Sequence, residues 1–355
     1  MELGLVNKLP QKDINKILIR GTNWIGDAIL TLPAVASIRA TYPKAHTAIL
    51  VKPLVADVYR LFSDVDEVII YENKFDTPTG VLRLARNLKK EKFDLAFLLQ
   101  NAIEAAIIAL AAGIPRRAGY DSDGRGLLLT HRVRRTKAIK MVHQVDYYLE
   151  MVKALGCVAV HREMNLRAKI NLSDARDVLS KYLPEPKKDV IGIAPGATYG
   201  AAKRWFPDRF AKVADKIAGR FGTQGIILGG KADRETAREV QEKARAELIN
   251  LAGKTNLREA IYLISQCRLL ISNDSGLMHV AGALGIPTVA IFGSTNPVTT
   301  SPVGKTSVVV RKEISCSPCL KKTCPTDFRC MKEISVDDVF NVAKNLFQIS
   351  RDEHP

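Results

Sequence analysis

The densest chemistry in the chain lies between Leu270 and Gly285, in the sequence LISNDSGLMHVAGALG. An apolar run ends at Ser272, the turn-forming residues Asn273-Asp274-Ser275-Gly276 follow, and an amphipathic pattern begins near Leu277. A strand, turn and helix in this order place the amides of Asp274, Ser275 and Gly276 at a helix N-terminus. Unsatisfied N–H groups and the helix dipole there suit a pyrophosphate. His279 lies one turn further in. A lone histidine is more often structural, but proximity to an anion site makes it a candidate ligand contact. Phe292–Pro297 (FGSTNP) reads as another strand-end loop on the same edge.

Two further loops carry candidate groups. After the loop Pro195–Gly200, Lys203-Arg204-Trp205 precedes Pro207, and backbone amides plus a lysine suit a phosphate site. The plainer alternative is a solvated Lys-Arg pair beside a packed tryptophan. Near the N-terminus, Gly21–Asp27 (GTNWIGD) ends in an aspartate that can accept a proton at a helix start. Its plainer alternative is a helix cap. The glycine spacing there is neither a phosphate-loop nor a dinucleotide fingerprint.

Two clusters complete the inventory. Arg116 to Lys140 holds eight basic residues against Asp121 and Asp123. Such a run is usually a solvated face. Only Tyr120 interleaves it, so it lacks the aromatic platforms of nucleic-acid binders, and a phosphate-rich acceptor fits better than nucleic acid. Cys316, Cys319, Cys324 and Cys330 fall within fifteen residues. Four such thiols could hold a tetrahedral zinc or an iron–sulfur cluster, although the spacing matches no standard finger. Reduced structural thiols, or a disulfide formed on oxidation, are the other readings.

These loops need elements to position them. Lys16–Arg20, Thr47–Val51, Glu67–Tyr71 and Leu95–Leu99 read as strands, with helical stretches at Ala28–Ala40, Leu54–Phe62, Gly80–Lys90 and Asn101–Ala112. Pro33 predicts a late start or a kink in the first helix. A proline- and charge-rich break at Ser180–Asp189 precedes a restart of the same grammar. Strands are predicted at Val190–Ala194, Gly225–Gly229, Leu269–Ser272 and Thr288–Phe292, with a helix at Asp208–Arg220. The expected fold class is α/β, with two Rossmann-like domains over 1–180 and 181–355 and the final helix free to pack back on the first. Ligands of such sheets lie at the carboxyl ends of the strands, so both glycine loops are expected to face one cleft. At 355 residues the chain is long enough for two cores.

The net charge of +16 divides evenly, +8 in each half, and favours nucleic acid, phosphorylated substrates or an anionic membrane surface. The longest apolar run, Ala105–Ile114, is too short to span a bilayer. The N-terminal MELGLVNKLPQKD lacks the order of a signal peptide, so a cytoplasmic location with reduced cysteines is expected.

Lys16–Pro33 (KILIRGTNWIGDAILTLP), Lys203-Arg204-Trp205 and Asn273–Gly285 closely resemble, in order, the ADP-heptose:lipopolysaccharide heptosyltransferases of glycosyltransferase family 9. The Asn-Trp-Ile-Gly-Asp form and the late cysteines look most like the heptosyltransferase II branch. The resemblance implies a GT-B fold, a central cleft and inverting transfer of L-glycero-D-manno-heptose from ADP-heptose to the inner-core heptose of lipopolysaccharide. It implies Asp27 as catalytic base, and a donor site of Thr198, Lys203, Asp274, Ser275, Gly276, Leu277 and His279. Arg125 and His143 resemble acceptor-side positions, and Asp233 is a loose match to an acidic donor-side residue. The implied partners are ADP-heptose, the lipid A-linked inner-core oligosaccharide and the anionic inner-membrane surface, with no nucleic acid. No cofactor is implied for the chemistry, a structural zinc or iron–sulfur group at the cysteines being a separate expectation. The alternatives are a related transferase with another donor or acceptor, and a non-catalytic nucleotide- or nucleic-acid-binding protein.

Overall fold

The computed structural model describes residues 8–162, 166–183 and 189–353, with side chains through Ser350. Residues 1–7 of the N-terminal segment and 184–188 of the expected domain break lie outside the described residues. The chain forms two compact units that divide between residues 164 and 165.

In the first unit, β1 (Lys16–Arg20), α1 (Ile25–Thr41), β2 (His46–Val51), α2 (Ala56–Phe62) and β3 (Glu67–Ile70) come first. They are followed by α3 (Pro78–Glu91), β4 (Leu95–Leu98), α4 (Ile103–Ala111), β5 (Arg116–Tyr120), β6 (His131–Val133) and α5 (Gln144–Ala154). All strand pairs are parallel, in the order β3-β2-β1-β4-β5-β6. Central strands of a parallel sheet are covered on both faces, which is why β1 and β4 are near-continuous apolar runs. One face of the sheet packs Leu18, Ala48, Leu50, Ala96 and Leu98 against α3 and α4.

The second unit begins with α6 (Leu172–Tyr182), β7 (Val190–Ala194), α7 (Pro207–Phe221), β8 (Gln224–Ile227) and α8 (Arg234–Lys243). Next come β9 (Leu248–Asn250), α9 (Leu257–Ser265), β10 (Leu269–Asn273), α10 (Gly276–Ala283) and β11 (Thr288–Ile291). The last elements are α11 (Pro297–Thr300), β12 (Ser307–Val310), α12 (Arg329–Lys332) and α13 (Val336–Glu353). Its parallel sheet runs β12-β11-β10-β7-β8-β9, the same topology as the first. Local signals agree with it. Pro207 opens α7, Gly222 closes it in the left-handed region, and Asn256 with Glu259 forms a reciprocal cap on α9.

Several expectations need correction. α1 begins at Ile25, before the expected start, and carries Pro33 inside a single 17-residue helix. The missing proline donor is tolerated because Ile29, Leu30, Leu32, Ala34 and Val35 around it are all buried. The division between units precedes the expected 180/181 boundary, because α6 belongs to the second unit. Lys181 pairs with Glu259 at 2.6 Å, and the Tyr182 hydroxyl donates to Glu259 and to the Lys254 carbonyl. The final helix, for which packing on the first domain was left open, buries Val339, Ala343, Leu346 and Phe347 in the second unit's own core. Strands β5, β6, β9 and β12 were not anticipated.

Phe347 is fully buried and stacks on Phe221 with ring centroids 4.5 Å apart. Phe347→Ala should therefore lower the stability of the second unit by about 3–5 kcal/mol, read from the denaturant midpoint of its transition. A shift below about 1 kcal/mol would show that α13 is peripheral to that core.

Candidate functional site

In the second unit, successive connections leave β7 and β10 in opposite directions along the sheet, so the crevice at their carboxyl ends is its topological switch point. Both loops expected to hold an anion end here. Asn273, at the end of β10 and fully buried, joins them: its Nδ2 donates to the Pro195 carbonyl at 2.7 Å, and its Oδ1 accepts from the Trp205 amide at 3.0 Å. Trp205 is buried as well and donates through Nε1 to the Ile334 carbonyl at 3.1 Å, anchoring the segment from its far side.

Lys203 ends a single helical turn just before this anchor. Its ammonium lies 2.5 Å from Asp274 Oδ2 and 4.9 Å from the Tyr199 ring centre. Thr295 Oγ1 donates to the same carboxylate oxygen at 2.5 Å. Asp274 thus contributes its side chain, and not only the backbone amide expected of it, as an internal counter-ion that aims the lysine. Ser275 is the residue before α10, but its hydroxyl pairs with Ser272 Oγ at 3.0 Å and makes no cap bond to the helix. The first-turn amides of Gly276 and Leu277 therefore have no side-chain cap, the arrangement that receives an anion. His279 is buried in the first turn of α10. Thr198 is exposed in the loop after β7.

Asp233 also reaches this crevice. Its Oδ2 accepts from the Gly230 amide at 2.9 Å, and a Cβ at Gly196 would lie 2.2 Å from its carboxyl carbon, so only glycine fits there. Asn273 and Thr295 were missed as site residues. Asn273 stood within the quoted motif and Thr295 within a loop already singled out, but their roles depend on partners distant in sequence.

In the first unit the equivalent switch point lies between β1 and β4. Asp27 is the third residue of α1, whereas the residue before the helix is Trp24, so Asp27 does not occupy the cap position itself. It is half-buried, near the phenols of Tyr59 and Tyr148. Burial and then the Asp27 charge push Tyr148 well above the usual tyrosine range, and burial, with a smaller contribution from Asp27, also raises Tyr59.

His143 precedes α5, and its Nδ1 accepts from the Val145 amide at 3.2 Å, a helix-capping role. Arg125 differs from the expectation of an acceptor contact, because it is completely buried. It donates to the Tyr120 carbonyl at 2.8 Å, to the Leu98 carbonyl at 3.3 Å and to the Gln100 carbonyl. Burial pushes its guanidinium down to about 10. Three carbonyls at the ends of β4 and β5 engage it, so it fixes strand ends rather than reaching a ligand. Arg117 is likewise engaged by the carbonyls of Ile114 and Leu128. Within the expected basic cluster, Arg132, Arg134, Lys137 and Lys140 are the exposed cations.

All four clustered cysteines are free, from exposed Cys316 to buried Cys330. Burial, followed by the charges of Cys316, Cys324 and Cys319, raises the Cys330 thiol, so the four are neighbours. Among the described residues, however, no three histidine, cysteine or acidic side chains are arranged to hold a metal ion. Protein contacts also organise the segment. Ser317 Oγ donates to the Gly293 carbonyl at 2.7 Å, and the Leu320 amide donates to the Ser294 carbonyl at 2.7 Å. The Ala202 amide donates to the Lys322 carbonyl at 3.0 Å, and the Phe328 amide to Cys324 Sγ at 3.2 Å.

A model of Glycosyltransferase family 9 (heptosyltransferase) matches residues 81–328. The chain is 30% identical over 312 residues to lipopolysaccharide heptosyltransferase 2 of Salmonella typhimurium, covering 83% of this chain and 88% of that protein. It is 30% identical over 342 residues to lipooligosaccharide heptosyltransferase 2 of Campylobacter jejuni, covering 94% and 99%. The solved structure of E. coli ADP-heptose lipopolysaccharide heptosyltransferase II matches with a TM-score of 0.80 at 25% identity, covering 95% of this chain and 99% of that one.

Asn273→Ala should leave the Trp205 amide and the Pro195 carbonyl without their partner, at about 1–3 kcal/mol each. Affinity for a nucleoside diphosphate should fall with the stability, since the lysine loop loses its tether. Lower stability with unchanged affinity by calorimetry would show that Asn273 only supports the fold.

Proposed function

Because this chain belongs to glycosyltransferase family 9, a family of GT-B enzymes, we propose that it moves L-glycero-D-manno-heptose from ADP-heptose to the inner-core heptose of lipopolysaccharide, with inversion. The observation that carries this reading is the Lys203–Asp274–Thr295 cluster beside the uncapped start of α10. It places a directed cation and free backbone amides at one switch point, as a leaving diphosphate requires. The second unit holds the donor, with Thr198, Ser275, Gly276, Leu277 and His279 around the diphosphate. The first unit supplies the base.

In the transfer, the acceptor hydroxyl oxygen attacks the anomeric carbon from the side opposite the diphosphate. The bond from that carbon to the phosphate oxygen breaks, and its electron pair leaves with ADP. Asp27 takes the hydroxyl proton as the new bond forms. Charge grows on the leaving diphosphate, so donors already aimed at it stabilise the transition state more than the ground state. His143 and Arg125 hold the elements around the acceptor rather than the acceptor itself.

The acceptor is attached to lipid, so the enzyme works at the cytoplasmic face of the inner membrane. No helix among the described residues is long and apolar enough to cross it, and the net charge of +16 favours peripheral contact with anionic lipid. Release of ADP from ADP-heptose only when truncated lipopolysaccharide is present supports this reading. ADP release with a different acceptor would support a related transferase, and binding without release would make the protein non-catalytic.

Lys203→Ala should weaken ADP and ADP-heptose binding roughly tenfold to a hundredfold, the equivalent of one lost charge-assisted hydrogen bond. It should also lower kcat, because the diphosphate gains charge as it leaves. Unaltered affinity and rate would move Lys203 out of the site.

Asp27→Asn keeps the side-chain size and removes the basic oxygen. We expect donor affinity within about twofold of wild type and a kcat loss of about 10²–10⁴-fold, the usual contribution of a positioned base. Loss of the first-turn charge costs about 0.3–1 kcal/mol of helix stability, so the chain should stay folded. Near-normal kcat in a folded variant would sink the base assignment.

A further inference from the structure

Helix α4 is apolar on both sides. Ala105, Ala106, Ile108 and Ala109 are buried on the first sheet, as a covering helix requires. The opposite side repeats Ile103, Ile107 and Leu110 at helical spacing, and these stay 43%, 42% and 45% exposed. The one charged residue in α4, Glu104, accepts a hydrogen bond from the Tyr71 hydroxyl at 2.6 Å. Leu127, in the short turn Arg125–Leu128 that packs against α4, is 92% exposed. An outer helix face in water ordinarily carries polar residues, and a contiguous apolar strip on it marks a contact surface.

Helix α3 packs beside α4 on the same side of the sheet. Its outward residues include Arg83, Arg86, Lys89 and Lys90, all exposed, and the half-exposed Leu82. Lys92 follows at the end of the helix. The one acidic residue of α3, Glu91, is paired with Lys16 at 3.2 Å. An apolar strip thus runs beside a cationic one. This is the composition of a surface that lies in a bilayer interface, where apolar side chains enter the acyl boundary and cations meet anionic headgroups. A second copy of the chain fits poorly, because an isologous contact presents the same cation-rich face from both sides.

We propose that the outer face of α3 and α4, together with Leu127, is the surface on which the protein docks to an anionic lipid bilayer. The proposal rests on the membrane contact argued above and adds its location, the outer face of α3 and α4 with Leu127 at its border. Ile103 starts α4 just beyond the carboxyl end of β4, the sheet edge that also carries the loop leading to Asp27. The apolar strip extends about 10 Å along the helix from that edge. Docking through it brings the acceptor-side edge to the lipid surface, where a lipid-linked hydroxyl emerges.

The test is co-sedimentation of the full chain with vesicles of phosphatidylethanolamine with and without phosphatidylglycerol. The apolar variant Ile103→Gln/Ile107→Gln/Leu110→Gln should partition at least about tenfold more weakly onto the anionic vesicles. The basic variant Arg83→Gln/Arg86→Gln/Lys90→Gln should lose about fivefold per residue at low salt and depend less on salt. Both should keep wild-type thermal midpoints and wild-type turnover on a lipid-free acceptor, because the altered side chains face solvent. If the triple apolar variant does not fold, Leu127→Gln should lower partitioning on its own. Wild-type partitioning in the folded variants would place docking elsewhere. Failure of the wild type to bind anionic vesicles would remove the membrane reading itself, with transfer to the soluble acceptor unaffected. A wild-type dimer by light scattering that the apolar variant converts to monomer would assign the strip to a second copy and overturn the proposal.

Discussion

The second unit's site depends on one carboxamide. Asn273 sits where a strand ends, and it must both donate and accept within a fully buried pocket, toward the Pro195 carbonyl and the Trp205 amide. Aspartate lacks the donor, and an aliphatic residue lacks both groups. With the backbone held at either end, the intervening stretch has one path, and Lys203 comes out of it beside Asp274. Consecutive residues therefore hold separate roles, with Asn273 fixing the loop and Asp274 fixing the lysine that the loop carries. Fixed dipoles and charges of this kind stabilise developing charge without rearranging at the moment of reaction.

That economy is repeated at the level of topology. Both units order their strands identically, and in each the connections diverge at the central pair. The divergence leaves strand ends uncovered by crossover helices, so polar groups can gather there without disturbing the core. The first unit uses the place for a carboxylate at a helix start, the second for a cation and amides. Little of the sequence is repeated between them. Alternating apolar strands and amphipathic helices suffice to produce the duplication, while the loops remain free to differ.

The central strands were legible because burial on both faces turns them into apolar runs, as in KILIR and VIGIA. Strands β5, β6, β9 and β12 were not. β5 reads RRAGY and β6 reads HRV, so their charged residues drew attention as a cluster and hid the pairing. Sequence also leaves unstated whether an arginine faces water. Arg125 resembled a ligand contact until three carbonyls were found around its guanidinium. Asp27, Lys203 and the turn before α10 stood out as candidates because each combines a polar group with a glycine loop between a strand and a helix. The cooperation of Lys203 and Asp274 with Thr295 and Asn273 was hidden, since the Asp274–Thr295 and Trp205–Asn273 contacts join residues 21 and 68 positions apart.

The cysteine segment bears on the same site by another route. Its Lys322 carbonyl accepts from Ala202 and lies where a Cβ at Gly200 would intrude to 2.3 Å, and its Leu320 carbonyl accepts from the Tyr199 hydroxyl at 2.8 Å. Tyr199 in turn lies beneath the Lys203 ammonium. The thiol-bearing stretch is thus the outer wall of a mould in which the lysine loop is cast. A change in that wall, whether an oxidised pair of thiols or a single deleted residue, reaches the ammonium mechanically, through Tyr199 and the turn that carries Lys203.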